Sequence, residues 1–272
     1  MHGVELALTG FWLGSLVFKT YVAPTGAPQR KSWIPALGIL ACILALIWFV
    51  LVASDIAESW TPAVLFSVAW GTRFGLIWMG KIALELLILA MMMTHRWRAA
   101  VVLALVLPLA SSMTGHPVAM GENGHLLSIA LDDFHFTAVG VWSGGLISLW
   151  LWLSVCDPLQ ARAGVLRFSR VAMVSTFVIA VTGIANAVRF GVSPGDPWQT
   201  EYGKLVVLKL ALFIGVILIA SLNQFVHLRN WSENSAPVFV RRVQMTAFAE
   251  WIGVVLIFGV AGFLTQSSPP LM

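Results

Sequence analysis

The sequence predicts an all-α, polytopic membrane bundle of about eight transmembrane helices with both termini on the periplasmic side. Three observations carry that prediction: 59% of the 272 residues are hydrophobic, 10% are charged, and apolar stretches of about 20 residues recur between short polar breaks. A mean hydropathy of +0.88 excludes a water-soluble globule. The net charge of +4 is too small for a nucleic-acid-binding balance. Cys42 and Cys156 lie far apart with no CxxC spacing, so neither a disulfide scaffold nor a zinc module is indicated.

The spans fall near Val4–Ala23, Trp33–Ala53, Arg73–Met93, Ala99–Met113, Leu126–Val155, Val171–Phe190, Gly203–Val226 and Val243–Thr265. The fourth is short, and Pro108 predicts a kink or a broken helix there, because proline lacks the backbone donor and crowds the preceding turn. The fifth is long enough to begin outside the bilayer. Trp60–Trp70, rich in Trp and Phe, reads as an interfacial segment leading into the third span. No soluble domain fits in what remains, so residues 1–272 read as a single transmembrane domain. The N-terminus shows no basic residue before its apolar run and no small-residue cleavage site, which reads as a retained first helix. No internal repeat is visible by eye.

Orientation follows from charge, because Lys and Arg are retained on the cytoplasmic side. Arg30, Lys31, Arg96, Arg98, Arg162, Arg167, Arg170, Arg229, Arg241 and Arg242 all fall in the first, third, fifth and seventh connections. The opposite side holds only Arg73, Arg189 and Lys204, while Lys19, Lys81 and Lys209 lie within spans. Both termini therefore face outward.

Ionisable groups inside a bilayer are costly and mark function or pairing. Lys81 and Glu85, four apart on the third span, can satisfy each other across one turn, with or without a further role. Lys209 sits about two turns into the seventh span and is placed to neutralise a carboxylate on the fifth. Glu250 is about two turns deep in the eighth. Glu5 and Lys19, near the ends of the first span, are expected to snorkel to the interface. Met91, Met92, Met93 and His95 end the third span, where interfacial packing competes with a soft-cation exit relay. His2 beside the terminal amine offers two nitrogen donors.

The densest polar cluster lies between the fourth and fifth spans: Met113, His116, Met120 and His125, followed by Asp132, Asp133 and His135. Asp132 and His135 are three apart and project from one helical face, where two side chains can share one ion. Thioether with imidazole suits Cu(I), and imidazole with carboxylate also suits Cu(II), Zn or Ni. Trp142-Ser-Gly144-Gly145 puts small residues in mid-span, favouring close helix packing.

In the fifth span Asp132, His135, Ala138, Trp142, Gly144, Gly145 and Leu146 follow the pattern D-x-x-H-x-x-A-x-x-x-W-x-G-G-L. With Gly115-His116, Thr72-Arg-Phe-Gly75, Trp78, Arg167-Phe168-Ser169, Thr182-Gly183, Tyr202-Gly203, Lys209, Asn223, Glu250 and Pro269, the chain resembles the copper resistance protein D (CopD) family. The resemblance is clearest from about the third span onward, over residues 72 to 270, and rests on hydropathy alone in the first two. Asp133 and Pro117 depart from the pattern, and no fused periplasmic copper-binding domain is present.

The resemblance implies a bacterial inner-membrane protein that works beside a periplasmic copper-binding protein and moves copper, as Cu(I) or Cu(II), toward the cytoplasm. Copper would dock on Met113, His116, Met120 and His125 and pass to Asp132 and His135, with Glu85, Lys81, Lys209, Glu250 and Trp142 as pathway or polar support. No Walker motif couples the chain to ATP, and no enzyme activity is expected. Two rival readings stand beside this one: a non-conducting copper-protein receptor or assembly factor, and a b-type haem or quinone electron-transfer protein.

Overall fold

Ten α-helices build the described part of the chain, which a computed structural model covers over residues 2–23, 33–114, 125–192 and 195–264. α1 (His2–Val17) continues through a π-helical turn, Phe18–Val22. α2 spans Ile34–Ala57, α3 Pro62–Gly71, α4 Arg73–Met93, α5 Trp97–Ala104, α6 Leu107–Thr114 and α7 His125–Leu153. α8 follows over Pro158–Arg189, α9 over Glu201–Leu222 with a π-helical tail Asn223–His227, and α10 over Ala236–Leu264.

Seven of these units are long and apolar enough to cross a membrane: α2, α4, α5 with α6, α7, α8, α9 with its tail, and α10. α1 has 16 residues, and the π-helical turn adds five, so the first expected span is a composite. The fourth span breaks at Leu105 and Val106, where Val106 N–H donates to Leu103 O and Leu109 N–H to Val106 O. Pro108 explains the break, since it has no N–H for the Ala104 carbonyl and its ring crowds that oxygen. α8 and α10 begin well before their apolar runs. For α8 the reason is local: the Asp157 carboxylate accepts from Leu159 N–H at 3.0 Å, and Pro158 presets the first turn.

Two further starts share one cap. Thr72 Oγ1 accepts from Gly75 N–H at 2.9 Å to open α4, and Thr200 Oγ1 accepts from Gly203 N–H at 3.0 Å to open α9. In both, the preceding short helix folds back so closely that a Cβ on the glycine would strike a backbone carbonyl, of Val68 or Ala69 in one case and Pro197 in the other. The Thr72-Arg-Phe-Gly75 and Tyr202-Gly203 runs quoted for the family resemblance therefore belong to helix caps.

α7 is the hub, packed by α1, α6, α8 and α10. It runs parallel to α1 along a seam of small residues in which Gly10 meets Gly140, Gly14 meets Gly140 and Gly144, and Ser148 Oγ donates to Ser15 Oγ at 3.1 Å. A Cβ built on Gly14 would lie 2.7 Å from Gly144 Cα, so the backbones approach as only glycine permits. This bears out close packing as the role of Gly144, while Gly145 makes room for the Phe168 ring on α8.

The seam exposes a repeat that the linear reading misses. Gly10-Phe-Trp12-Leu-Gly14-Ser-Leu16 returns 130 residues later as Gly140-Val-Trp142-Ser-Gly144-Gly-Leu146. Thr72-x-x-Gly75 followed by Lys81 returns 128 residues later as Thr200-x-x-Gly203 followed by Lys209. Lys81 and Lys209 are thus equivalent, each eight residues from the first residue of its helix, about 12 Å along the axis.

Candidate functional site

Each copy of this plan builds a polar cluster around its lysine. In the first, Lys81 Nζ donates to Glu5 Oε1 at 2.5 Å and to Glu85 Oε1 at 2.6 Å. Thr9 Oγ1 adds a 3.0 Å hydrogen bond to Glu5 Oε1, the Trp78 ring lies 5.2 Å from the ammonium, and the Cys42 thiol of α2 faces Glu85. All three charged side chains are sealed, with Glu5 1%, Lys81 2% and Glu85 0% exposed. The i,i+4 pairing of Lys81 with Glu85 is as the sequence predicts. Glu5 is not: it turns inward to a lysine 76 residues away instead of snorkelling, because there its carboxylate meets a cation in the apolar interior. Lys19, by contrast, does stay at a helix end, 4.0 Å over the Trp97 ring.

In the second copy Asp132 and His135, three apart on α7, both turn toward α8. Asn186 Nδ2 donates to Asp132 Oδ1 at 2.8 Å, and Arg189 Nη1 braces Asn186 Oδ1 at 3.1 Å. His135 Nδ1 is 2.9 Å from Thr182 Oγ1, and that hydroxyl lies 2.6 Å from the Val178 carbonyl. The carbonyl only accepts, so the single Thr182 proton goes to it and Thr182 must accept from His135 Nδ1–H. This network assigns the tautomer and leaves the Nε2 lone pair of neutral His135 uncommitted, the arrangement by which a polar neighbour prepares an imidazole for a metal. Lys209 on α9 acts electrostatically on both Asp132 and His135, as expected for a counter-charge to the fifth span. Two turns below His135, Trp142 is buried edge-on against Phe213 at 5.9 Å and 89°.

The two clusters differ in enclosure. α2 packs along α4 and closes over the first, whereas α8 and α9 barely touch, their contact including Phe190 against Tyr202 at the ends nearest the site. Asp132, His135 and Lys209 consequently remain partly exposed.

Of the other expected metal donors, Met113 is the last but one residue of α6, half-buried. His116 and Met120 lie outside the described residues, as do the side chains of His125, at the first position of α7, and of His2. Among the described residues no group of three or more His, Cys, Asp and Glu is close enough to hold a metal ion. Cys156, between α7 and α8, is no thiolate donor, because burial pushes its thiol up to about 11.

Glu250 is buried and accepts from Asn223 Nδ2 at 2.8 Å, while Thr246 Oγ1 donates to Asn223 Oδ1 at 2.5 Å. Asn223 opens the π-helical tail of α9, so this polar knot fixes where that helix loosens. At the end of α4 the methionines split: Met92 is buried and Met93 is 82% exposed. His95, with φ 57°, is the left-handed residue of a Schellman cap, in which Arg96 N–H donates to Met91 O and His95 N–H to Met92 O. That run is a capped helix terminus.

Thr182, Asn186, Arg189 and the inward-facing Glu5 are the residues sequence reasoning did not place in a site. The usable signal for the α8 pair was spacing: Thr182 and Asn186 are four apart in an otherwise apolar stretch, the interval that puts two side chains on one face.

Residues 2–128 match the family described as "Copper resistance protein D-like, N-terminal domain", and residues 163–264 match "Copper resistance protein D". The first match covers the first two spans, where the resemblance had rested on hydropathy alone. The chain is similar to inner membrane protein YebZ of Escherichia coli (strain K12), 24% identical over 269 residues, covering 92% of this chain and 88% of the relative. It is also similar to copper resistance protein D of Pseudomonas syringae pv. tomato, 24% identical over 272 residues, covering 89% and 84%. No solved structure matches the chain.

Proposed function

Because the chain belongs to the copper resistance protein D family and is a multi-pass inner-membrane protein, we propose that it carries copper ions from the periplasm toward the cytoplasm. The observation that carries this reading is His135: with Nδ1 committed to Thr182, its Nε2 lone pair stands one helical turn from the Asp132 carboxylate, on a partly exposed face. Imidazole and carboxylate from one face supply two donors, and a copper ion needs more. In this reading Met113, His116, Met120 and His125 complete the ligand set during entry, receiving the ion from a separate periplasmic copper-binding protein.

The basic residues of the odd-numbered connections orient the bundle so that Asp132 and His135 face the periplasmic half. Lys209 then has a definite task. Its ammonium balances Asp132 while the site is empty and swings aside as the arriving cation takes over that charge. Trp142 and Phe213 floor the site. Glu85 and Glu250, committed to Lys81 and Asn223, act in this reading as internal supports and not as stepping stones for the metal.

The test is copper uptake into liposomes loaded with a copper-sensitive dye, wild type against the double variant Asp132→Ala, His135→Ala, under reducing and oxidising conditions. Uptake by wild type that vanishes in the variant supports the carrier, and the redox condition names the ion. Unchanged uptake in the folded variant overturns the site. No uptake by wild type, with a copper-loaded periplasmic partner present, assigns the chain instead to the receptor reading. The haem reading lacks a geometric basis among the described residues: His95 and His227 end helices that run parallel to α7, at the opposite end of the bundle from His135.

A further inference from the structure

We infer that the groove between α7 and α8 binds an anionic phospholipid of the cytoplasmic leaflet, with the phosphate on Arg170 and one acyl chain laid along Val141, Val171 and Val174. The groove is shallow, about 380 Å³, and Arg170, Val171, Val174 and Ser175 of α8 line it together with Val141 of α7.

Depth decides what can reach it. Arg170 and Arg189 lie 19 residues apart on one helix, about 28 Å along its axis, close to the ~30 Å thickness of the hydrocarbon layer. The two arginines therefore bracket that layer, with Arg170 at the cytoplasmic edge that the basic connections define. Val171 and Val174 lead from it toward the bilayer interior, and Val174 is 66% exposed, so the chemistry that meets this wall is an acyl chain.

Two further features give the groove a headgroup end. Arg170 is exposed, as is Arg167 one turn before it on the same side of α8, and no carboxylate among the described residues pairs with either. Arg162, earlier on the same helix, is instead laid over the Trp231 ring at 5.2 Å. Two guanidinium groups at headgroup depth favour a lipid with net negative charge, and each presents the planar fork that phosphate oxygens accept. Ser175 supplies the second feature. It lines the groove at 5% exposure, and its hydroxyl makes no hydrogen bond among the described residues. Five residues separate it from Arg170, about 7–8 Å deeper along the helix, on the side where the ester carbonyls of a phospholipid hang below the phosphate. A buried donor is costly without an acceptor, and an ester carbonyl provides one there. This inference stands apart from the copper reading, because a lipid at the cytoplasmic edge of α8 needs no metal.

Native mass spectrometry of the full-length chain in detergent, titrated with phosphatidylglycerol or phosphatidylcholine of identical acyl chains, tests it. Wild type should carry one phosphatidylglycerol molecule through detergent exchange and hold it about tenfold more tightly than phosphatidylcholine. Arg170→Leu should weaken phosphatidylglycerol binding about fivefold, the effect of one basic group beside an anionic headgroup. Val174→Trp, which fills the groove, should weaken both lipids, and Arg241→Leu, an exposed arginine of α10 outside the groove, should leave binding as in wild type. Equal affinity of wild type for the two lipids overturns the proposal, as does binding unchanged in both groove variants or reduced as much by Arg241→Leu as by Arg170→Leu. Should Arg170→Leu fail to fold, Val174→Trp decides, since that position already faces outward.

Discussion

Lys81 and Lys209 hold equivalent positions in two copies of one helical plan, and the surroundings of each have diverged in opposite directions. Around Lys81 the position on α1 is Glu5, a second carboxylate has entered at Glu85, and α2 seals the group. Around Lys209 the equivalent of Glu5 is His135, the equivalent of Glu85 is Phe213, the carboxylate has moved to Asp132, and α8 and α9 stand apart. One ammonium is therefore fixed between two carboxylates while the other lies in a more open cluster. Equal depth in a membrane does not imply equal role; enclosure and the number of fixed partners decide.

The largest effect expected from this contrast is on stability. Lys81→Met removes the ammonium that two buried carboxylates share and should cost about 3–5 kcal/mol, whereas Lys209→Met should cost under about 1 kcal/mol, both read from thermal unfolding in detergent. Equal costs would show that the second cluster is as locked as the first. Next comes the seam that joins the copies: Gly144→Leu drives a side chain into Phe11 and Gly14 of α1, with an expected loss of about 3 kcal/mol and a collapse in folded yield.

The open copy is sharpened by Thr182→Val, which removes the partner of His135 Nδ1 without touching a proposed ligand. Copper affinity, measured by competition with a chelator, should weaken by about 10- to 100-fold; an unchanged affinity would show that the tautomer is set elsewhere. The smallest effect belongs to neither cluster. His95→Gly relieves a left-handed residue at the end of α4 and should raise stability by about 1 kcal/mol with copper uptake intact, and lost uptake would revive the methionine–histidine run as part of the route.

Much of this was legible in the chain. Hydropathy located the spans because each must be apolar over the full width of the hydrocarbon layer, Pro108 announced the broken helix, and Lys81 with Glu85 announced a pair because helical geometry fixes which residues four apart can meet. What stayed hidden depended on contacts distant in sequence. Nothing local to Glu5 says that its helix will lie beside α4, and nothing local to Thr182 or Asn186 says which face of an all-round apolar helix meets α7. The repeat escaped notice because few residues besides the glycines, one tryptophan, the cap and the lysine persist between the copies. Lipid-facing positions accept any apolar residue, so the rest of the pattern drifts.

The glycine seam also sets a timetable. Gly140 follows Gly10 by 130 residues, so at roughly 5–20 residues per second of synthesis the first helix waits about 6 to 26 seconds in or beside the insertion machinery before its partner is made. During that interval Gly10 and Gly14 present a narrow groove that any other small-faced helix can fill. Lys81 is made before Gly140, and in the folded chain its bond to Glu5 ties α1 to α4. The buried ion pair thus joins two segments that are both made before the second half of the seam.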